Sequence, residues 1–303
     1  MNRILNRSEN WVELLAPAKI NLFLGITGLR EDHFHQLSTI IAKVSIGDTL
    51  EIRKTEKEDE LIFRCPGFSS LENPENLVCQ AVRKWRERTG DSWGVNICLK
   101  KNIPAMSGLG GGSSDAVSAL LGMHELSGSS HTIGSIMKIA QEIGSDCPAF
   151  LLDGLCLAEG RGEIVSKLFE EDKNPYLGQK VMLFRPHIGI STPEAYKLLA
   201  SSQNYSEEEW VTEQVAAWKN EPEQVNELLH NDLENPVFRK YRFFTPLFQR
   251  LKHRFGIAPK MTGSGSCCFA FLPDDFDQEE QINEEISAAW GEGIWLQIVK
   301  IID

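Results

Sequence analysis

The chain has 303 residues, 42% of them hydrophobic and 24% charged, with a formal net charge of −12 at pH 7. Such a composition belongs to a globular protein with chain enough for a well-buried core and for two domains, since single cores stop growing near about 250–300 residues. The acidic balance excludes broad attraction to nucleic acid or anionic lipid, though not a local basic pocket for a phosphorylated small molecule. The opening stretch MNRILNRSENWVELLAP carries Arg3, Arg7, Glu9 and Glu13 and no apolar run of signal length. No segment approaches the roughly 18–20 apolar residues of a membrane span, so the cytoplasm is the expected address. Seven cysteines without a C-x-x-C pair, Cys267 and Cys268 adjacent among them, read as reduced, mostly buried packing residues rather than a disulfide framework or a zinc site.

In chain order, WVELLA from Trp11, INLFLGI from Ile20, DTLEIR from Asp48, ELIFR from Glu60 and GVNICLK from Gly94 are short runs rich in apolar or β-branched residues, and each is a predicted strand. Between the last two, NPENLVCQAVRKWRERTG sets Leu77, Val78, Ala81, Val82 and Trp85 on one stripe, with Pro74 near its start and Gly90 past its end, as a helix requires. Val117, Leu120, Leu121 and Met123 keep the same period and predict a helix over 114–126; IGSIMKIAQEIG predicts another, ending at Gly144. After Gly160, KVMLFRP is a predicted strand, Pro193 opens a helix, and a polar, acidic helical region covers about 206–230. TPLFQRLKHRFG is a further helix, with Thr245 as N-cap, Pro246 at the first helical position and Gly256 as the stop. Two strands, SCCFAFL and IWLQIVKI, flank a helix around 277–290, and the whole is α+β with a boundary near 165–180 around FEEDKNPYLG.

The most unusual stretch is PAMSGLGGGSSDAV, Pro104 to Val117, where Gly108, Gly110, Gly111 and Gly112 crowd together before a helix. Glycine is costly in chain entropy and is tolerated in runs where the backbone takes φ > 0 or something approaches closely. A glycine-rich turn that feeds a helix start is a natural phosphate site, because unpaired N–H groups point outward and the helix dipole adds positive potential. It is not a Walker A loop, because Ser113 and Ser114 follow in place of Lys-Ser/Thr, nor a dinucleotide fingerprint, which needs glycine at Ser113. A surface linker is the other reading, out of place between a strand and an amphipathic helix. Lys19 in APAKINLFL marks either a strand entrance at a solvated edge or a site, and Asp146 in GSDCPAF is either an N-cap before Pro148 or a site. KMTGSGSCCFAF, with Gly263 and Gly265, offers small side chains and free N–H groups before a strand, or only a bulge or tight turn.

Taken in order, PAKINLFL, PAMSGLGGGSSDA and MTGSGSCCF resemble the three motifs of the GHMP kinase superfamily, a P-x-K-[ILV]-N-L segment, a P-x-x-x-G-L-G-[GS]-S-[SA] loop and a C-terminal G-x-G-x segment. The resemblance implies a two-domain α+β fold, residues 1–165 and 166–303, with the active site in the interdomain cleft. Within the superfamily, ITGLREDHFHQLSTI (26–40), IGDTLEI (46–52), ENLV (75–78), KNIPAMSGLGGGSSDA (101–116), IGSDCPAFL (143–151), GISTPEAY (189–196) and NDLENPVF (231–238) are similar to the branch that phosphorylates the 2-hydroxyl of 4-diphosphocytidyl-2-C-methyl-D-erythritol in the non-mevalonate isoprenoid pathway. A sister kinase of the mevalonate or homoserine type, and a non-catalytic ligand sensor on the same fold, stand as alternatives.

What the resemblance implies for the site is specific. ATP would lie against Asn76, Lys101, Pro104, Met106, Gly108, Leu109, Gly110, Gly111, Gly112, Ser113 and Ser114. The acceptor would meet Asn21, Phe34, His35, Asp146, Gly263 and Ser264, with Lys19 and Asp146 as the catalytic pair. Mg²⁺ would arrive with ATP rather than in a protein cage, with Ser113 and Ser114 as nearby oxygens; no nucleic acid or membrane partner is implied, and monomer and homodimer are both open. Two departures stand out: Asp32-His33-Phe34-His35 where D-G-Y-H is usual, and AMSG, with Met106, where AGAG is usual.

Overall fold

The computed structural model describes residues 3–128, 131–169, 174–220 and 225–303. It begins with β1 (Ile4–Arg7), β2 (Trp11–Leu29), β3 (His35–Thr55), β4 (Leu61–Arg64), α1 (Leu77–Thr89), β5 (Gly94–Lys100), α2 (Gly111–Ser127) and α3 (Ile133–Ile143). A 3₁₀ turn at Pro148–Leu151 leads to β6 (Cys156–Gly160), β7 (Ile164–Lys167), β8 (Lys180–Arg185) and α4 (Thr192–Ser202). Then come α5 (Glu208–Asn220), α6 (Val225–Leu228), β9 (His230–Asn231), α7 (Glu234–Lys240), α8 (Phe244–Phe255), β10 (Lys260–Met261), β11 (Cys268–Phe271), α9 (Glu279–Trp290) and β12 (Trp295–Ile302). The composition thus folds as α+β, as expected.

Two strands expected separately, WVELLA and INLFLGI, are one continuous β2 of 19 residues. The sequence hides this because the environment changes along the strand. Trp11 to Leu15 alternate between partly exposed and buried positions, the signature of a sheet with one wet face, while from Ala16 to Ile26 every residue is buried, as in a strand covered on both sides. β2 pairs antiparallel with β3 from Trp11↔Arg53 to Leu29↔His35, and the register shifts between Pro17 and Ala18. Proline has no N–H for the ladder and falls naturally at such an irregularity. Lys19 therefore lies deep in a strand, 4% exposed, and not at a solvated entrance. The first half of β3 was likewise not expected as strand, nor were β1, β6, β7 and helix α7.

The principal sheet runs in the order β1-β2-β3-β12-β8-β11-β10. β12 is its join: Trp295 to Lys300 pair with β8, while Ile301 and Ile302 pair with Val44 and Lys43 of β3. One apolar cluster, with Val12, Trp85, Val117 and Leu120, lies under α1 and α2, and another, with Phe184, Phe244 and Leu251, lies under the C-terminal helices. Between them a third cluster mixes Ile20, Phe23 and Val44 with Leu183, Phe269 and Ile301, so the two halves share a core. The expected boundary near 165–180 includes residues 170–173, which lie outside the described residues, as do 221–224 of the expected helical region 206–230. Among the described residues no helix is long and apolar enough to cross a membrane.

Helix ends agree with sequence chemistry at Asn76, whose Oδ1 accepts from the Val78 N–H, and at Gly90 and Gly256, both left-handed caps. Thr245 is a correction. α8 starts two residues earlier, at Phe244 with Phe243 in the cap position; the buried Phe244 ring stacks on Phe238 and on Phe243 with centroids 4.6 Å apart in each case, so aromatic packing sets the helix start in place of a hydroxyl cap.

Because Ile301 fills the shared core at 1% exposure, Ile301→Ala should cost about 2–5 kcal/mol of unfolding free energy in urea titrations. Ile164→Ala, at a 58% exposed position, should stay within about 0.5 kcal/mol of the parent. Equal effects at the two sites would mean that β12 is not the join.

Candidate active site

The glycine loop is rooted by a buried ion cluster. One Asp48 oxygen accepts from the backbone N–H groups of Asn102 at 2.5 Å and Ile103 at 2.8 Å, and the other accepts from Lys101 Nζ, which also pairs with Asp115 at 2.8 Å. Burial works against the Lys101 charge, but Asp115 and Asp48 outweigh it and hold the ammonium above its ordinary value. Burial, and then Asp48, push the Asp115 carboxyl up to about 8 despite Lys101. The strand β5 is thereby tied at its exit to α2, just past that helix's first turn.

From that root the chain turns over itself. Ser107 Oγ donates to the Pro104 carbonyl at 2.7 Å, and the Ser107 carbonyl accepts from the Cys267 N–H at 3.1 Å. Gly108 (φ 78°) and Gly110 (φ 70°) take the left-handed conformation. A Cβ on Gly108 would collide with the Thr262 carbonyl oxygen, and one on Gly110 would come within 3.0 Å of the Lys19 stem and the Phe150 ring. Gly111 and Gly112, expected in the loop ahead of a helix over 114–126, instead form the first turn of α2. The helix is capped by Gly110 with no side-chain hydrogen bond, so its leading N–H groups remain available to an anion.

The three motif segments meet at Lys19. Its N–H donates to the Leu109 carbonyl at 2.9 Å, and its Nζ donates to Asn21 Oδ1 at 2.6 Å. Asn21 is fixed in turn: its amide donates to Thr39 Oγ1 at 2.8 Å and its backbone N–H to Thr262 Oγ1 at 2.9 Å. Lys19 Nζ lies 3.5 Å from the Asp146 carboxylate, whose side chain is 44% exposed while that of Lys19 is 5% exposed. Asp146 is not an N-cap: the cap position of the 3₁₀ turn is Cys147, with no side-chain hydrogen bond. Burial pushes the Cys147 thiol up to about 12, which leaves it inert.

On the acceptor side, the His35 ring lies 4.8 Å from Tyr196 and its Nε2 is 3.4 Å from the Tyr205 hydroxyl. Burial lowers the His35 pKa and raises that of Tyr196, with the Asp146 charge adding to the latter. Phe34 is half exposed, with the Arg161 guanidinium 4.9 Å from its ring centroid. Gly263 packs on Asn21 and Lys19, and Ser264 Oγ lies 3.2 Å from Thr192 Oγ1 at the start of α4.

Several expected nucleotide residues sit differently from a simple lining. Asn76 uses its side chain to cap α1 and to bond the Leu71 carbonyl. The Lys101 ammonium is committed to two aspartates, and the Leu109 side chain is fully buried. Ser114 Oγ is buried and without a partner, leaving Ser113 as the more accessible hydroxyl of the pair. Met106 is exposed, at φ 50°, with Gly189 against its side chain. Motif reading passed over Asp48, Asp115, Thr39, Thr262 and Tyr205, although an aspartate inside an apolar run, as in IGDTLEI, is itself a sign of a buried, partnered carboxylate.

This arrangement, an uncapped helix start facing a lysine–aspartate pair, defines a phosphotransferase of the GHMP kinase class. Residues 76–154 match the GHMP kinases N terminal domain, and residues 214–291 match the GHMP kinases C terminal domain. The chain is 34% identical over 301 residues to the 4-diphosphocytidyl-2-C-methyl-D-erythritol kinase of Methylacidiphilum infernorum, covering 98% of this chain and 99% of that one. It is 33% identical over 294 residues to the enzyme of the same name from Syntrophus aciditrophicus, covering 94% and 96%. A crystal structure of 4-(cytidine 5'-diphospho)-2C-methyl-D-erythritol kinase superposes with a TM-score of 0.74 at 30% identity, over 95% of this chain and 99% of that one. The chain belongs to the 4-diphosphocytidyl-2-C-methyl-D-erythritol kinase family.

Gly108→Ala should destabilise the fold by about 1–3 kcal/mol and impair nucleotide binding, since the added methyl meets backbone at a left-handed position. Gly112→Ala, whose methyl would lie 3.7 Å from Leu77, should leave stability nearly unchanged in the same thermal melts. A second outcome concerns Asp115. An acid whose folded pKa is raised above its unfolded value loses stability as pH rises from about 4 to about 8, because only the unfolded state releases the proton there. Asp115→Asn should therefore gain on the parent between pH 5 and pH 8 in urea midpoints; a constant gap would show that Asp115 does not take up a proton on folding.

Proposed function

We propose that the protein transfers the γ-phosphate of ATP to the 2-hydroxyl of 4-diphosphocytidyl-2-C-methyl-D-erythritol, giving ADP and the 2-phosphate, in the non-mevalonate route to isoprenoid precursors. The observation that carries the reading is the 3.5 Å Lys19–Asp146 pair, set beside the uncapped start of α2 in a chain of this family.

The chemistry follows from the placement. Phosphoryl transfer needs positioning and charge stabilisation more than covalent help. The N–H groups of Gly111 to Ser113 hold phosphate oxygens at the positive end of α2. Asp146, the more exposed partner of the pair, accepts the proton of the attacking hydroxyl. Lys19, held by Asn21 beside that carboxylate, offsets charge on the group in transit. A magnesium ion would arrive with the nucleotide, with Ser113 Oγ as the fitting protein oxygen and the buried Ser114 unfit. When bound, it would neutralise phosphate charge.

At the acceptor end, Phe34 supplies an apolar face and His35 a polar edge, which suits a cytosine ring. Residues 1–165 and 166–303 act in this reading as the two domains that bring these groups together. Seven free cysteines fit a reducing compartment, the cytoplasm.

Asp146→Asn should remain folded and lose roughly 10²–10⁴ in kcat, the worth of a positioned general base. ADP release with the cytidyl substrate, mevalonate, homoserine and no acceptor identifies the reaction: turnover should appear with the first alone. Comparable turnover with mevalonate or homoserine would overturn the substrate, and an Asp146→Asn rate within a few-fold of the parent would remove Asp146 from the mechanism.

A further inference from the structure

The turn that presents Asp146 rests on buried cations that the reaction as described does not use. Lys19 and Lys43 are direct cross-strand partners in β2 and β3, so both project from the same face of the sheet. Lys19 meets the start of the turn at Asp146. Lys43 meets its end, donating from Nζ to the Leu152 carbonyl, and the Arg3 guanidinium donates to the Phe150 carbonyl between them. Lys43 is 1% exposed and Arg3 is 6% exposed. Within the turn, the Cys147 N–H donates to the Gly144 carbonyl at 3.1 Å and the Phe150 N–H to the Cys147 carbonyl at 3.1 Å, so the segment moves as one piece.

Fold stability alone does not account for these residues. A buried ammonium is unfavourable unless well paired, and apolar side chains of similar volume are often as stabilising or more so. Burial, with Arg3 adding to it, lowers the Lys43 pKa to about 8, and burial lowers that of Arg3 to about 10. The carboxylates of Asp153 and Asp303 and the Cys156 thiol oppose the shift at Lys43, and Asp153 and Cys156 oppose it at Arg3. The common target of the two cations is a pair of carbonyls on one turn. Fixing those carbonyls fixes the approach of Asp146 to Lys19, and phosphoryl transfer is sensitive to displacements of about 1 Å, which can cost on the order of 10²-fold in rate.

We infer that Lys43 and Arg3 are positioning residues for phosphoryl transfer, holding the Phe150 and Leu152 carbonyls so that the 144–152 turn presents Asp146 to Lys19 and the acceptor hydroxyl. The inference rests on the reading of Asp146 as the proton acceptor. Its test is a double-mutant cycle on the full chain, with kcat and both KM values measured and the fold checked by near-UV circular dichroism.

Lys43→Met and Arg3→Met should each lower kcat by about tenfold or more while the KM for ATP stays within about twofold, since the nucleotide contacts lie on α2 and its loop. Lys43→Arg, which keeps a charge and a donor, should recover most of the rate. In the Asp146→Asn background, adding Lys43→Met should change kcat little, because the group it positions no longer accepts the proton. Full multiplicative losses in the double variant, or parent-like kcat in folded Lys43→Met, would overturn the inference and leave the assigned reaction standing. Should Lys43→Met fail to fold, the same cycle run with Arg3→Met decides by the same criteria. Parent-like kcat in Asp146→Asn would instead remove the proton acceptor, and the inference with it.

Discussion

A lysine ammonium has been taken out of water in the middle of a long strand, and much of the site is arranged around that fact. A buried cation needs partners with good geometry, or it deprotonates or unfolds its surroundings. Lys19 finds Asn21 two residues along its own strand and Asp146 on the turn after α3. Gly110 must lack a side chain because the lysine stem passes beside it, and Gly263 stays bare for the same neighbourhood. The loop before α2, the C-terminal glycine turn and the Asp146 turn come from distant parts of the chain, and each supplies a surface that the lysine needs. Gly110 and Gly263 are thus explained by the room that Lys19 takes up.

Legibility followed the physics of local pattern. β5 and the helices α1, α3 and α9 were readable because periodicity, caps and stops agree over many residues. α2 was readable too, yet its start lay three residues earlier than the apolar stripe suggests, since Gly111 and Gly112 carry no hydrophobic signal. The long β2–β3 hairpin was only half legible: a strand covered on both faces loses its alternation, and β3 opens with HQLSTI, whose polar residues are paired inside the structure, as Thr39 is with Asn21 and the Phe23 carbonyl. Motif order brought Lys19, the glycine loop and Gly263 together correctly. It did not reveal that Lys101 is committed to Asp48 and Asp115: the aspartate in IGDTLEI signals a partnered carboxylate, but nothing local says that the partner lies 53 residues away.

Both departures from the usual family motif fall on backbone that glycine would take without strain. His33 has φ 66° and Met106 has φ 50°, in the left-handed region where a side chain is disfavoured. At His33 the hairpin turn is held by Asp32, which accepts from the Phe34 N–H and from Arg30, so neighbouring hydrogen bonds offset the conformational cost. At Met106 the side chain lies against Gly189, and the adjacent Ala105 carbonyl accepts from Arg185 at 3.3 Å. The loop before α2 is thereby in contact with the segment that leads into α4, and the Met106 side chain adds a contact that a glycine at 106 would not provide.

The placement of β12 has a consequence for the order in which the molecule can be built. A chain emerging from the ribosome makes β3 and β8 long before the strand that lies between them. Until residues 295–302 appear, Val44 on one side and Val181 to Arg185 on the other present ladder groups with no partner, and unpaired strand edges invite association between copies. The shared core that includes Ile301 closes at the same moment. Nascent chains that stall before that point therefore carry two unpaired edges and an incomplete core.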